Sequence, residues 1–113
     1  MPVTMYHNPR CNTSRRTLAL LREKGVEPTI IEYLKTPYTA AQLKKILGQL
    51  KVPAKRLVRK KEAAVAGVNP ETLSEDALIE AMARNPIIVE RPIVVSGAKA
   101  ALGRPPEAVL SVL

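Results

Sequence analysis

The pattern that constrains this chain most is a strand, a helix and a second strand compressed into its opening third. Val3 to His7 alternates apolar and polar side chains, as a half-buried strand does. Ser14 to Lys24 carries Leu18 and Leu21 at helical spacing and stops at Gly25. Thr29 to Leu34 reads as a second strand, apolar enough to be largely buried. Strands joined by one helix over so short a span run parallel. The chain therefore opens as a βαβ unit.

Thr36-Pro37-Tyr38 breaks that unit, and a helical section of about residues 39–85 follows. Thr39-Ala40-Ala41-Gln42 is a capping box, after which Leu43, Ile46, Leu47 and Leu50 share one helix face. A second helix is expected after Val52-Pro53, with Leu57 and Val58 inward and the basic residues outward. A third begins at Ser74, with Leu73 and Leu78 placed as a hydrophobic staple, and Asn85-Pro86 ends it. The last third returns to strand. Pro92 to Val95 and Lys99 to Leu102 flank Ser96-Gly97-Ala98 as a hairpin. Gly103-Arg104-Pro105-Pro106 then turns the chain into a short closing helix, whose Val109, Leu110 and Leu113 would pack on the sheet. No repeat or linker interrupts the 113 residues, so a single domain is expected.

The bulk numbers exclude several classes. The opening segment lacks a basic stretch before a long apolar run, which predicts no secretory leader. The most apolar region, Ile87 to Val95, is interrupted by Glu90-Arg91-Pro92, so no membrane span is expected. One cysteine forms no internal disulfide, and the chain reads as cytoplasmic. The net charge of +8 is unevenly spread: nine of the eighteen basic residues lie between Tyr33 and Lys61, where no acidic residue occurs. Such a face can attract nucleic acid, an acidic partner or a small anion, or simply be solvated. With three Tyr and neither Phe nor Trp, the chain lacks aromatic platforms for stacking bases, which argues against nucleic acid. No coiled-coil seam is present, and a monomer is the expectation.

The chemistry concentrates at Cys11, between the first strand and the first helix. A thiol at a helix N-terminus faces unpaired backbone N–H groups and the positive end of the helix dipole. Arg10, Arg15 and Arg16 are close in sequence and also favour the thiolate, the nucleophilic form. The same N–H groups would bind an oxyanion. Arg59, Arg91 and Arg104 each lie beside a break rather than in a helix stripe. Arginines converging on a thiolate would bind a dianion through paired hydrogen bonds, although sequence spacing cannot bring them together. Cys11 and His7 are the only soft ligands, so no metal site is expected.

These residues resemble the glutaredoxin-coupled arsenate reductase family. Tyr6-His7-Asn8-Pro9-Arg10-Cys11-Asn12-Thr13-Ser14-Arg15 is similar to its nucleophile motif. Glu90-Arg91-Pro92-Ile93-Val94-Val95 and Gly103-Arg104-Pro105-Pro106-Glu107 are similar to its two later signatures, and Leu57-Val58-Arg59-Lys60 to its remaining arginine position. The resemblance implies an α/β, thioredoxin-like fold: a mixed four-stranded sheet with a helical insertion after the second strand. It implies that Pro92 is the cis-proline facing the thiol. Cys11 becomes the nucleophile, and Arg59, Arg91 and Arg104 the substrate-binding residues. His7, Ser14 and Arg15 become candidates for tuning the thiolate, although His7 equally fits a satisfied core histidine and Ser14 a helix-start residue.

The activity so implied is reduction of arsenate to arsenite. Position 14 is Ser, so the second sulfur must come from outside. In this family that is glutathione as cosubstrate, followed by glutaredoxin as partner, with no bound cofactor. Two rivals share the reactive thiol: another glutathione- or glutaredoxin-linked thiol oxidoreductase, and a non-enzymatic Spx-type regulator that binds a partner protein.

Overall fold

The structure is a computed structural model that describes residues 2–113. The chain divides into two compact units, one built from its first 36 residues with Arg91–Leu113, the other from Pro37–Glu90.

The first unit holds a four-stranded sheet. Its strands are β1 (Val3–His7), β2 (Thr29–Glu32), β3 (Ile93–Ser96) and β4 (Lys99–Leu102), in the order β2-β1-β3-β4. β1 pairs parallel with β2, Thr4 opposite Thr29, and antiparallel with β3, Met5 opposite Val94. β4 returns antiparallel along β3 through a turn in which Gly97 adopts a positive φ of 59°. The sheet is thus mixed, with the helical section inserted after its second strand: the thioredoxin-like α/β arrangement.

Helix α1 (Asn12–Glu23) turns one face to this sheet. Ser14, Thr17 and Leu21 are buried and Leu18 is partly so, the 3-4 spacing of a helix stripe. Small polar residues occupy the end of the stripe near the loop after β1, and leucines occupy the rest. Val3 and Met5 of β1, Leu21 of α1, Val94 of β3, and Val109 and Val112 close into one core cluster.

Three expectations change in this unit. Helix α1 begins at Asn12 rather than Ser14, which makes Cys11 its N-cap. β2 ends at Glu32 and is half exposed, Ile30 at 37%. It is the sheet edge and has one neighbour, so its apolar run does not leave it largely buried as expected. The closing helix, Pro106–Val112, is a 3₁₀ helix. Val109 and Val112, three apart, face inward together, whereas Leu113 stays 48% exposed, as three residues per turn require.

The second unit contains α2 (Ala40–Leu50), a 3₁₀ turn (Ala54–Leu57), α3 (Lys60–Val65), α4 (Glu75–Arg84) and a 3₁₀ turn (Pro86–Ile88). The expected capping box is present: Thr39 Oγ1 accepts from the Gln42 amide at 3.0 Å, and Gln42 Oε1 accepts from the Thr39 amide at 2.9 Å. Leu43, Ile46 and Leu47 of α2 and Leu78, Ile79 and Met82 of α4 are buried, and these helices pack together. Ser74 caps α4 by accepting from the Ala77 amide at 3.1 Å, while Leu73, the proposed staple residue, is 38% exposed. The helix expected after Pro53 is instead split. Val58 forms an antiparallel bridge with Val89, flanked by bonds from the Arg59 amide to Ile88 O (2.7 Å) and the Glu90 amide to Leu57 O (2.8 Å). Extended backbone at Val58 and Arg59 stops one helix and lets α3 start at Lys60. Leu57 and Val58 are buried as expected, and Lys55, Arg56, Lys60 and Lys61 face outward.

Candidate active site

The loop between β1 and α1 is folded by its own side chains. Asn8 Oδ1 accepts from the Arg10 amide at 3.0 Å, an Asx turn, and Asn8 O accepts from the Cys11 amide at 3.0 Å. Arg15 Nη1 donates to Pro9 O at 2.9 Å, so this arginine braces the loop. Cys11 then occupies the N-cap in extended backbone (φ −91°, ψ 121°), its C=O accepting from the Arg15 amide at 3.0 Å. It is 9% exposed.

Two arginines reach it from the far side of the sequence. Arg104 Nη2 lies 3.9 Å from Cys11 Sγ across 93 residues of chain, and Arg104 Nε donates to Arg91 O at 2.8 Å. The Gly103 amide donates to Pro92 O at 2.8 Å, so the segment after β4 is laced to the segment before β3. Both Arg91–Pro92 and Arg104–Pro105 are cis, the second without any expectation from sequence. Gly103 is needed for the close approach. A Cβ there would sit 2.7 Å from Pro92 Cγ and 2.8 Å from Thr17 Oγ1.

Burial pushes the Cys11 thiol up. The hydrogen bond from the Arg91 side chain, the Ser14 backbone N–H at the helix start, and the charges of Arg91 and Arg104 outweigh it and hold the thiol below its ordinary value. The backbone N–H at the helix start thus favours the thiolate, and guanidinium groups remote in sequence add to it.

His7 and Ser14 form a buried pair behind the loop. Ser14 Oγ accepts from the Asn8 amide at 3.1 Å and lies 2.6 Å from His7 Nδ1. His7 is only 6% exposed, and burial, with smaller contributions from the Arg22 and Arg15 charges, lowers its pKa against the opposing pull of Glu32. Its burial thus favours the uncharged imidazole. It is satisfied as a core residue and also linked through Ser14 to the helix start that carries Cys11.

Arg59 belongs to the second unit. Its Nη1 pairs with Glu90 Oε1 at 3.1 Å and its Nη2 with Glu62 Oε2 at 3.3 Å. No motif in the sequence marks either carboxylate as a partner of Arg59. Glu62 could be inferred from spacing, since it lies three residues on along α3. Glu90 could not, because the Val58–Val89 bridge brings it in across 31 residues. Among the described residues no group of three or more His, Cys, Asp and Glu could hold a metal ion. None of their helices is long and apolar enough to cross a membrane.

The sequence profile of the ArsC family matches residues 6–112. The chain belongs to the ArsC family. This ArsC chain is 42% identical over 113 residues to the arsenate reductase of Escherichia coli (strain K12), covering 98% of itself and 80% of that protein. It is 51% identical over 114 residues to the uncharacterized protein YfgD of the same organism, covering 98% of itself and 96% of YfgD. The solved arsenate reductase from Vibrio cholerae superimposes with a TM-score of 0.90 at 43% identity, covering 100% of this chain and 98% of that one. Membership of ArsC supports thiol-based reductive chemistry for this chain.

Proposed function

We propose that this chain reduces arsenate to arsenite, with Cys11 as nucleophile and glutathione and glutaredoxin as the external thiol system, in the cytoplasm. The observation that carries the proposal is the surroundings of one sulfur: Cys11 Sγ at a helix N-cap, hydrogen-bonded by Arg91 and 3.9 Å from Arg104 Nη2. Two guanidiniums beside a thiolate suit a tetrahedral dianion whose charge is retained as the As–S bond forms. The family relatives named arsenate reductase support the choice of anion.

The Cys11 thiolate attacks arsenic and displaces hydroxide, which leaves as water, giving a thiol–arsenate adduct still at As(V). The chain has no second cysteine to resolve it. A glutathione thiolate attacks the Cys11 sulfur, the S–S bond forms, and the As–S bond breaks with its electron pair staying on arsenic. Arsenic leaves as As(III), and the two sulfurs have each lost one electron. Glutaredoxin then reduces the Cys11–glutathione disulfide. Arg91 and Arg104 hold the oxyanion; Ser14, with His7 behind it, steadies the helix start that favours the thiolate. The family motif adds Arg59, whose guanidinium already carries two carboxylates. An Arg59→Ala variant with an unchanged KM for arsenate would confine oxyanion binding to the other two arginines.

The test is arsenite formation from arsenate with glutathione and glutaredoxin supplied. Wild type is expected to turn over and Cys11→Ser to fall to the blank. No arsenite from protein whose Cys11 still alkylates readily would overturn the proposal.

A further inference from the structure

Val65 is 87% exposed, whereas every other exposed large apolar side chain among the described residues lies between 37% and 48%. It ends α3, and valine is an indifferent helix former, so neither packing nor propensity accounts for it there. It does not stand alone. With Lys61, Glu62, Ala66 and Ile87 it lines a groove of about 280 Å³ between α3 and the Pro86–Ile88 turn. In that turn Ile88 is buried, while Ile87 lines the groove and stays 42% exposed. A cavity of about 150 Å³ holds a benzene molecule, so the groove has room for an aliphatic side chain.

The charge around the groove is one-sided. Lys61 and Val65, four apart, share a face of α3. Lys60 precedes them, and Lys55 and Arg56 lie on the 3₁₀ turn before α3. All four cations are exposed, and none pairs with a carboxylate among the described residues. Elsewhere such pairs do form, Lys44 with Asp76 at 3.5 Å and Arg22 with Glu27 at 3.1 Å. The one carboxylate lining the groove, Glu62, is held by Arg59 at 3.3 Å. Unpaired cations beside an apolar groove complement an apolar side chain flanked by carboxylates. They oppose a second copy of this chain, whose own groove would bring like charges together. α3 has six residues and the chain neither Phe nor Trp, too little apolar face for a membrane surface.

We infer that the groove between α3 and the Pro86–Ile88 turn docks an acidic segment of another protein, which seats an aliphatic side chain against Val65 and Ile87 and sets its carboxylates toward Lys60 and Lys61. This goes beyond the reductase reading and gives the basic stretch a partner of opposite charge. It depends on neither arsenate nor Cys11, and so stands or falls apart from that reading.

The probe is a fluorescein-labelled peptide of two leucines flanked on each side by two glutamates. Its anisotropy is expected to rise saturably with added chain, and the unlabelled peptide to shift amides at residues 60–66 and 87–88 of the ¹⁵N-labelled chain. Val65→Ser should weaken binding about tenfold, the size of one buried aliphatic side chain. Lys61→Glu should weaken it about fivefold, the size of one exposed charge contact. Both side chains are exposed, so the urea midpoints of these variants should stay at the wild-type value. No saturable binding, shifts confined to other residues, or equal binding of a peptide with serine in place of leucine would overturn the assignment. Sedimentation with phosphatidylserine vesicles that Val65→Ser abolishes would overturn it in favour of a membrane surface.

Discussion

Cys11 owes its character to groups that act in opposite directions. Its burial favours the thiol, while a backbone N–H at the helix start and two guanidiniums favour the thiolate and prevail. The sign gives a pH prediction. With its pKa lowered, the sulfur stays ionised further down the pH scale than a free cysteine, so its iodoacetamide alkylation rate should fall off only at lower pH. Arg91→Ala and Arg104→Ala should each raise the midpoint of that profile, because Arg91 contributes a hydrogen bond and a charge and Arg104 places its own charge and Nη2 donor 3.9 Å from the sulfur. A midpoint unmoved in both variants would show that the helix start alone tunes the thiol. The position of Cys11 at a strand–helix junction was legible from the residues around it. Its arginine partners were visible only as candidates, since nothing local distinguishes Arg104 from a surface arginine.

Among the elements, those with a local signal were read closely and those without one were not. Alternation marked β1 to the residue, the hairpin turn at Ser96-Gly97-Ala98 marked β4, and the capping box marked the start of α2. Thr39→Ala removes the acceptor for the Gln42 amide and frees the Gln42 side chain from its reciprocal bond. It should cost about 1 kcal/mol, read as a lower urea midpoint with an unchanged slope. An apolar run, by contrast, does not say whether a strand is central or at the edge, and β2 proved to be the edge. The split after Pro53 has no local signal, because the bridge that imposes extended backbone on Val58 pairs it with Val89, 31 positions on.

For the molecule, the chain leaves its sheet after β2 and returns at Arg91, which makes the candidate site non-local. Gly103 is the tightest joint in that return. Gly103→Ala puts a methyl against Pro92 and Thr17, the latter tied by its hydroxyl to Thr13 O at 2.9 Å. The variant should lose roughly 1–3 kcal/mol of stability, as overpacking does, and its Cys11 alkylation midpoint should rise as Arg104 is displaced. Full stability and an unchanged midpoint would show that the joint gives way cheaply. The basic stretch, evident from composition, divides in the structure into outward lysines with Arg56, and Arg59 held by Glu62 and Glu90.

The sequence by itself determined the βαβ opening, the order of the elements, and a lone thiol at a helix start. Each depends on side-chain periodicity, capping or turn chemistry within a few residues, and such forces act without reference to the rest of the chain. The tertiary structure alone decided that β2 is an edge, that Val58 extends rather than coils, and that Arg104, but not Arg15, turns to the sulfur. Those outcomes follow from contacts between residues tens of positions apart. Their energies exist only once the sheet has closed and brought the partners within a few ångströms.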